Sequence, residues 1–447
     1  MDTTLAPVAG RARIEVLDVL RGLAILGIFY MNIPGMAQNM PMIMNDVRSI
    51  GWTAADRWTW IGIQTLLEGT QRGVLELLFG AGMMVLTARA MAPDGPVAVA
   101  DLYYRRNLWL LVFGLLDVFA MLWVGDILHI YALAALFLFP FRLMKPRWLL
   151  VLGLSFASYV AIMGAISYAE RVELRVTGPA AMQRAASGAT LTAAEKTAQT
   201  EWRKVLDKPK LDEEEKKLVA SEIKARQGGL VDYAGNNWGI WLWFWGKGST
   251  VFGVLEAFCA MLIGVALWKW GVIQGERSTR FYLALLTGCY VFGLGARFWG
   301  ALDWSSYQPI AKQYWVTQEF ARLATSVGHV ALVNLAIRTR IGHRLLAPFR
   351  AAGQVAFSLY FLTSFIGLWV LFAPWGLIGW GRLGWAEMAL TATLVIAALL
   401  VVANIWVRHF ANGPLEWAWR SLAYAQRQPF RRRPVAEPLP GPNVLPV

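Results

Sequence analysis

Long apolar runs, set apart by short polar turns, dominate the chain. Each run is close to the roughly 20 residues that a bilayer core demands. Residues 17–37 form the first. Residues 38–60 carry Pro41, Asp46, Arg48, Asp56 and Arg57 and are too polar to cross, and a half-polar stretch at 58–76 leads into a second span ending near Arg89. Further runs at 107–124, 126–141, 148–168, 248–268, 281–300, 320–337, 355–372 and 387–407 bring the expected count to ten. The pattern predicts an all-α, polytopic membrane helix bundle of about ten transmembrane helices.

Between the fifth and sixth runs the apolar pattern stops. Residues 169–237 are dense in Glu, Lys, Arg, Ala and Gln, including DEEEKK at 212–217, with nearly balanced charge. Good helix formers with Gly188 as the lone interior glycine predict helix over 181–226. Trp238, Trp241, Trp243 and Trp245 then form an aromatic belt at the return to the membrane interface. The chain divides into membrane helices one to five at 1–168, a charged helical insert at 169–237, helices six to ten at 238–425, and a disordered tail at 426–447.

Composition supports this class. The 447 residues are 57% hydrophobic and 16% charged, below the roughly 25% charged usual for soluble domains, and the mean hydropathy is +0.45. The net charge of +13 would suit a nucleic-acid partner, but the Lys and Arg cluster in the turns and so read as orientation signals. Arg11 and Arg13, Arg105 and Arg106, Arg142, Lys145 and Arg147, Lys269, Arg277 and Arg280, the cluster from Arg338 to Arg350, and Arg408 all fall on one side if both termini are cytoplasmic. The insert then lies outside, and the partner is the lipid bilayer. No cleavable signal is expected before the first run. Cys259 and Cys289 sit inside apolar runs, which argues against a disulfide framework. Four scattered histidines, His129, His329, His343 and His409, predict no metal site. LFGAGMM (78–84) and FGLGARFWG (292–300) are not phosphate loops, and neither GxSxG nor HExxH occurs.

Ionisable groups inside spans are costly and therefore candidate sites. Asp18 and Arg21 lie three apart at the inner end of the first span, where they can pair or snorkel. The outer half collects Asn32, Glu68, Gln71, Arg72, Glu76, Asp126, His129, Arg297, Glu319 and Arg322, a set suited to a water-filled cavity. His129 has the pKa range of a general base, and Asp126 either orients it or caps its helix. Asp117, Glu256 and His329 fall near mid-membrane. His329 is an interhelical hydrogen-bonding group or a second candidate base. Two carboxylates and a histidine at one depth also fit a proton path.

LDVLRGLAILGIFYMNI (17–33) resembles the opening of the YeiB-like family of bacterial inner-membrane proteins, LDxxRGxAxLGIxxxNI. EGTQRGVLELLFGAG (68–82), GDILHIYAL (125–133), MLIGVALWKWGVI (261–273), GQVAFSLYFLTSFIG (353–367) and GPLEWAWRSLAY (413–424) are similar to later motifs of that family, so the likeness runs along nearly the whole chain. The resemblance implies a multi-pass protein of the bacterial plasma membrane. That family's N-terminal half is similar to transmembrane acyltransferases, including lysosomal glucosaminide N-acetyltransferase, which carry an acyl group from a cytoplasmic acyl-CoA to an acceptor on the far side. The implied roles fall on Asp18, Arg21, Asn32, Glu68, Arg72 and Asp126. Thr70, Glu76 and Val118 depart from the family's usual Lys, Ser and His, and the lost His leaves Asp117, His129 or His329 to take its place.

The expected function is a membrane-bound acyltransferase with acyl-CoA as co-substrate, an envelope or small-molecule acceptor, and no tightly bound cofactor. His129, His329 and Asp126 are its candidate catalytic residues, and Asp18, Arg21, Asn32, Glu68, Arg72, Glu256 and Arg297 its substrate-binding ones. A homo-oligomer stays open. The alternatives are a proton-coupled transporter or flippase of a small or lipid-linked solute, and a scaffold that docks through the insert.

Overall fold

The computed structural model describes residues 14–87, 97–208 and 210–432. The basic flank at Arg11 and Arg13, the expected end of the second span at Arg89, and most of the expected disordered tail lie outside the described residues.

Among the described residues the fold is all helix, with one isolated antiparallel bridge between Phe410 and Arg431. The chain opens with α1 (Glu15–Gly27) and α2 (Phe29–Ala37), which together make one apolar span. Then come the short α3 (Met40–Asn45), α4 (Ala54–Leu66), α5 (Thr70–Thr87) and α6 (Val97–Phe119). α7 (Leu128–Leu138) runs into a 3-10 turn, and α8 (Pro146–Gly153) leads into α9 (Ser155–Ala186). The polar segment forms α10 (Ala193–Asp207), α11 (Glu213–Gln227) and the Trp-rich α12 (Leu230–Gly246). α13 (Ser249–Lys269), α14 (Thr279–Ser305), α15 (Tyr314–Ile337), α16 (Arg340–Gln354), α17 (Ala356–Phe365), α18 (Trp385–His409) and α19 (Pro414–Ala423) complete the order.

Six of these segments are long and apolar enough to cross a membrane: Glu15–Ala37, Pro146–Ala186, Ser249–Lys269, Thr279–Ser305, Tyr314–Ile337 and Trp385–His409. A seventh is the broken pair Arg340–Gln354 and Ala356–Leu371, bent by 79°. The protein is thus a multi-pass membrane helix bundle. The α1–α2 span, α13 and α15 are about half-buried and form the inside, whereas α9, α14 and α18 turn large apolar side chains such as Ile162, Val291, Leu394 and Val401 outward. In a bilayer those outward side chains are lipid-facing.

Two crossings hold the interior, and both rest on reciprocal glycines. A Cβ at Gly22 of α1 would stand 2.0 Å from Phe349 O of α16, and one at Gly353 of α16 would stand 1.7 Å from Asp18 O of α1. Gly80 of α5 and Gly264 of α13 make the same exchange, at 2.1 Å from Met261 O and 2.2 Å from Leu77 O. Van der Waals contact between helices in lipid depends on such close backbone approach. Gly80 belongs to the LFGAGMM stretch and there packs α5 against α13, whereas a Cβ at Gly82 would meet open space.

The insert differs from its expected outline in two places. Its first helix is continuous with the fifth apolar run, since α9 passes through Tyr168 without a break. The expected helix over 181–226 divides into parts, with a turn at Gly188 (φ 76°). Thr192 and Asp212 each start a new helix with a capping box, to Glu195 and Glu215. Asn39, before α3, donates to Glu222 of α11 at 2.7 Å, and Arg226 donates to Phe372 O at 2.5 Å, so α11 is tied onto the bundle.

Candidate functional site

Three polar constellations and two cavities lie inside the bundle. The largest constellation joins α5, α13 and α15. Arg322 reaches Glu76 at 2.9 Å, Glu319 at 2.9 and 2.7 Å, and Glu256 at 3.0 Å. Arg72 reaches Glu256 at 2.6 Å and lies 3.6 Å from Glu76. Spacing explains much of this: Arg72 and Glu76 are one turn apart on α5, as are Glu319 and Arg322 on α15. Gly69 (φ 69°) turns the chain between α4 and α5, and its carbonyl accepts from Arg322 at 3.4 Å. Tyr131 of α7 donates to Arg72 O at 3.1 Å and to Glu76 at 3.4 Å.

The second constellation sits at the start of α7. His129 Nδ1 meets Asp126 Oδ2 at 2.7 Å, and the same oxygen accepts from the His129 backbone N–H at 2.9 Å. Asp126 therefore does both things expected of it, orienting the ring and capping the helix. Its other oxygen accepts from the Tyr360 hydroxyl at 2.9 Å. Asp117 of α6 lies against Asp126 and accepts from Ser364 at 3.2 Å. The side chains of Asp117, Asp126 and His129 are all buried, and His129 Nε2 has no hydrogen-bond partner among the described residues.

The third surrounds His329. Its Nδ1 meets the Tyr290 hydroxyl at 2.7 Å, and its Nε2 lies 3.1 Å from Leu66 O and 3.3 Å from Thr70 Oγ1. Both ring nitrogens are engaged, so His329 ties α15 to α14 and to the α4–α5 junction. Arg297 of α14 is also buried and engaged, donating to Thr65 O at 2.9 Å and to the carbonyls of Gln64 and Glu68.

The inner cavity, of 240 Å³, is lined at one end by Arg21, Arg106, Arg420 and Glu416, and along its length by apolar side chains including Leu75, Leu78, Phe79 and Met83. Ile127, Leu128 and Tyr360 also line it; Asp126 and His129 are not part of that lining, and the Tyr360 hydroxyl, which donates to Asp126, is the link between the pair and the cavity wall. Arg21 pairs with Asp18 at 3.0 Å, and Arg106 lies over the Trp419 ring, 4.4 Å from its centroid. Glu416 accepts from the Phe357 N–H at 2.7 Å and from the Ser358 N–H and hydroxyl at 3.2 and 2.5 Å, which caps the start of α17. The outer cavity, of 440 Å³, lies at the other end of the first span and includes Glu68 and Arg297 among its lining.

Of the residues singled out from sequence, Arg72 and Glu256 meet in one network, Asp126 and His129 in another, and Asp18 and Arg21 at the inner cavity. Asn32 is half-buried on α2 and lines neither cavity. The sequence marks Arg106 only as an orientation signal, and Glu416, Arg420, Tyr131 and Tyr360 were not among the candidate site residues. Glu416 and Arg420 stand in the GPLEWAWR motif, and that motif was the available signal. Tyr131 and Tyr360 carry no charge and stand in apolar runs, and their places in GDILHIYAL and GQVAFSLYFLTSFIG were the signal available for them.

A family described as "Protein of unknown function (DUF418)" matches residues 267–426. The uncharacterized protein YxaH of Bacillus subtilis (strain 168) is 26% identical over 442 residues, covering 96% of this chain and 99% of its own length. The uncharacterized protein YeiB of Escherichia coli (strain K12) is 24% identical over 414 residues, covering 91% and 95%. An uncharacterized 39.9 kDa protein of Bacillus acidopullulyticus is 30% identical over 159 residues, 36% of this chain and 42% of its own. No solved structure matches. End-to-end similarity to two relatives, the family match over residues 267–426 and the motifs at both ends of the chain together support a likeness to YeiB and YxaH along nearly the whole chain.

Proposed function

We propose that the protein is a membrane-bound acyltransferase of the bacterial plasma membrane, with ten spans and both termini cytoplasmic, that takes an acyl group from an acyl-CoA-type donor and delivers it to an extracytoplasmic acceptor. The observation that carries the reading is the inner cavity. Three guanidiniums at its mouth suit the phosphates of such a donor, and its apolar walls suit an acyl chain. At 240 Å³ it falls below the roughly 300–1,000 Å³ of sites that enclose a whole drug-sized ligand. Only the acyl and thioester end enters, and the nucleotide stays at the surface with Arg21, Arg106 and Arg420.

In this reading His129 Nε2 takes the proton of the acceptor hydroxyl or amine as its oxygen or nitrogen attacks the thioester carbonyl. Asp126 fixes the ring through Nδ1. The tetrahedral oxyanion collapses, the C–S bond breaks, and His129 returns the proton to the departing thiolate. Both His329 nitrogens are engaged, whereas His129 Nε2 has no partner among the described residues, which favours His129 as the base. Protein in nanodiscs is titrated with short- and long-chain acyl-CoA by calorimetry. Saturable binding, weakened roughly ten-fold or more by Arg106→Ala, supports the reading. Absence of binding at every chain length, with no acyl transfer to envelope acceptors, sinks it.

The buried five-charge network favours a second reading, a proton-coupled transporter or flippase, because charges so placed serve proton relays in transporters. Uptake into proteoliposomes driven by a pH gradient and lost in Glu256→Gln would select it.

A further inference from the structure

The outer cavity lies between α2, α3, α4, α14 and the first residues of α15 and α18, and five aromatic rings line it: Tyr30, Trp60, Trp304, Tyr314 and Trp385. The rings are braced from behind. Trp60 packs edge-on against Trp385, with centroids 6.5 Å apart, and Trp304 against Tyr314 at 6.5 Å. Trp385 donates to Val47 O at 2.6 Å, and Tyr30 bonds Thr393 at 2.8 Å. Five braced aromatic rings around one cavity suit a cation, which is attracted to the negative face of an aromatic quadrupole.

The charges beside the box are unbalanced in the same sense. Four carboxylates, of Glu68, Glu76, Glu256 and Glu319, stand among three guanidiniums, of Arg72, Arg297 and Arg322. Arg72 and Arg322 are taken up by Glu76, Glu256 and Glu319. Arg297 reaches the cavity, but its N–H groups donate to the carbonyls of Gln64, Thr65 and Glu68 at the end of α4, where the helix dipole is negative. The Glu68 carboxylate has no hydrogen bond among the described residues, and it is the carboxylate of the four that lines the box.

We propose that the outer cavity binds a small organic cation, an ammonium group held in the aromatic box with Glu68 as its counter-ion. The ligand would give the Glu68 carboxylate, which has no hydrogen bond among the described residues, a cation in direct contact and would pack against the rings. The inference is independent of the acyl-transfer reading, because it concerns the opposite end of the first span and neither the inner cavity nor His129. Within that reading, an ammonium-bearing acceptor would enter here and lose a proton before reacting.

The test compares choline with neohexyl alcohol, its uncharged carbon isostere. Full-length protein in a detergent free of ammonium groups is titrated with each, and the thermal midpoint is followed. Choline is expected to bind saturably and about ten-fold or more tighter than the alcohol. Glu68→Gln should erase that preference, and Trp304→Leu should weaken choline several-fold. If Glu68→Gln does not fold, the wild-type contrast still decides. Equal binding of the two compounds, binding of neither, or displacement of choline by inorganic phosphate overturns the proposal. Nanodiscs separate two sources of the cation. Loss of the choline effect in phosphatidylethanolamine, but not in phosphatidylglycerol, assigns the box to a lipid headgroup; persistence in both assigns it to a soluble amine. Acyl-CoA binding at the inner cavity, measured in parallel, fails or succeeds separately.

Discussion

At the scale of single residues, the buried ions show how a charge comes to be tolerated inside an apolar bundle. Removing one partner of a buried pair leaves the other uncompensated, at a cost of about 3–5 kcal/mol. Arg322→Met strands Glu319 and half of Glu76 and should lower stability by about that much, read as resistance to denaturation in micelles. Arg322→Lys should rescue little, because a point charge cannot reproduce the two-pronged contact with Glu319 at 2.9 and 2.7 Å. His129→Gln and Asp126→Asn address chemistry: each should slow acyl transfer roughly a hundred-fold or more while donor binding persists. Equal rates in wild type and variants, measured in a single turnover, would remove His129 from the mechanism. The pairing of Asp18 with Arg21 and of Asp126 with His129 was legible in the sequence, since local spacing alone brings them together. The meeting of Arg72 with Glu256, 184 positions away, was not, because no local periodicity encodes it.

At the scale of elements, helix ends and helix crossings do the positioning. Asp56 serves two helices: one oxygen caps α4 through the Thr53 N–H at 3.0 Å and hydroxyl at 2.7 Å, and the other accepts from the Ala386 N–H at 2.9 Å at the start of α18. Burial pushes its carboxyl up, but the N–H groups of Ala386, Thr53 and Trp385 and the Thr53 hydroxyl outweigh that and hold it below the usual carboxylate range. A depressed pKa contributes stability above the unfolded value, and that contribution is lost as pH falls through the folded value. Asp56→Ala should therefore cost about 1–2 kcal/mol near neutral pH and flatten the acid limb of the stability profile below about pH 4. An unchanged acid limb would show that Asp56 is not the group titrating. Gly353→Leu tests the crossing of α1 with α16. A Cβ there meets Asp18 O at 1.7 Å, so the helices must part, and overpacking of about 1–3 kcal/mol or more should appear as lost expression or a lowered thermal midpoint.

At the scale of the whole molecule, the two cavities lie at opposite ends of the first span, about 20 Å apart by helical rise from Arg21 to Pro34. The charged network and the Asp126–His129 pair lie among the helices between them. The proposed orientation, with both termini cytoplasmic, would put the inner cavity on the cytoplasmic side. Single cysteines in a background free of Cys259 and Cys289 check this: Ser306→Cys should react with an impermeant maleimide from outside intact cells, and Thr279→Cys only after permeabilisation. The reverse pattern would invert the proposed direction of transfer.

Hydrophobic periodicity by itself determined that this chain is a multi-pass helical membrane protein and where its longest apolar helices run, because apolar length and the need to satisfy every backbone group leave a chain in lipid no other choice. It also marked the ions of the α5–α13–α15 network and the Asp126–His129 pair, since a charge inside an apolar run is conspicuous, but not Arg106, Glu416 or Arg420 at the inner cavity, which stand outside the runs. Only the tertiary structure decided which charges share a partner, that one span is broken by 79° between α16 and α17, and that Glu68 is left to face an aromatic box. Those outcomes depend on where helices far apart in sequence cross, and reciprocal glycines such as Gly22 with Gly353 fix those crossings through contact distances that no single run of residues contains.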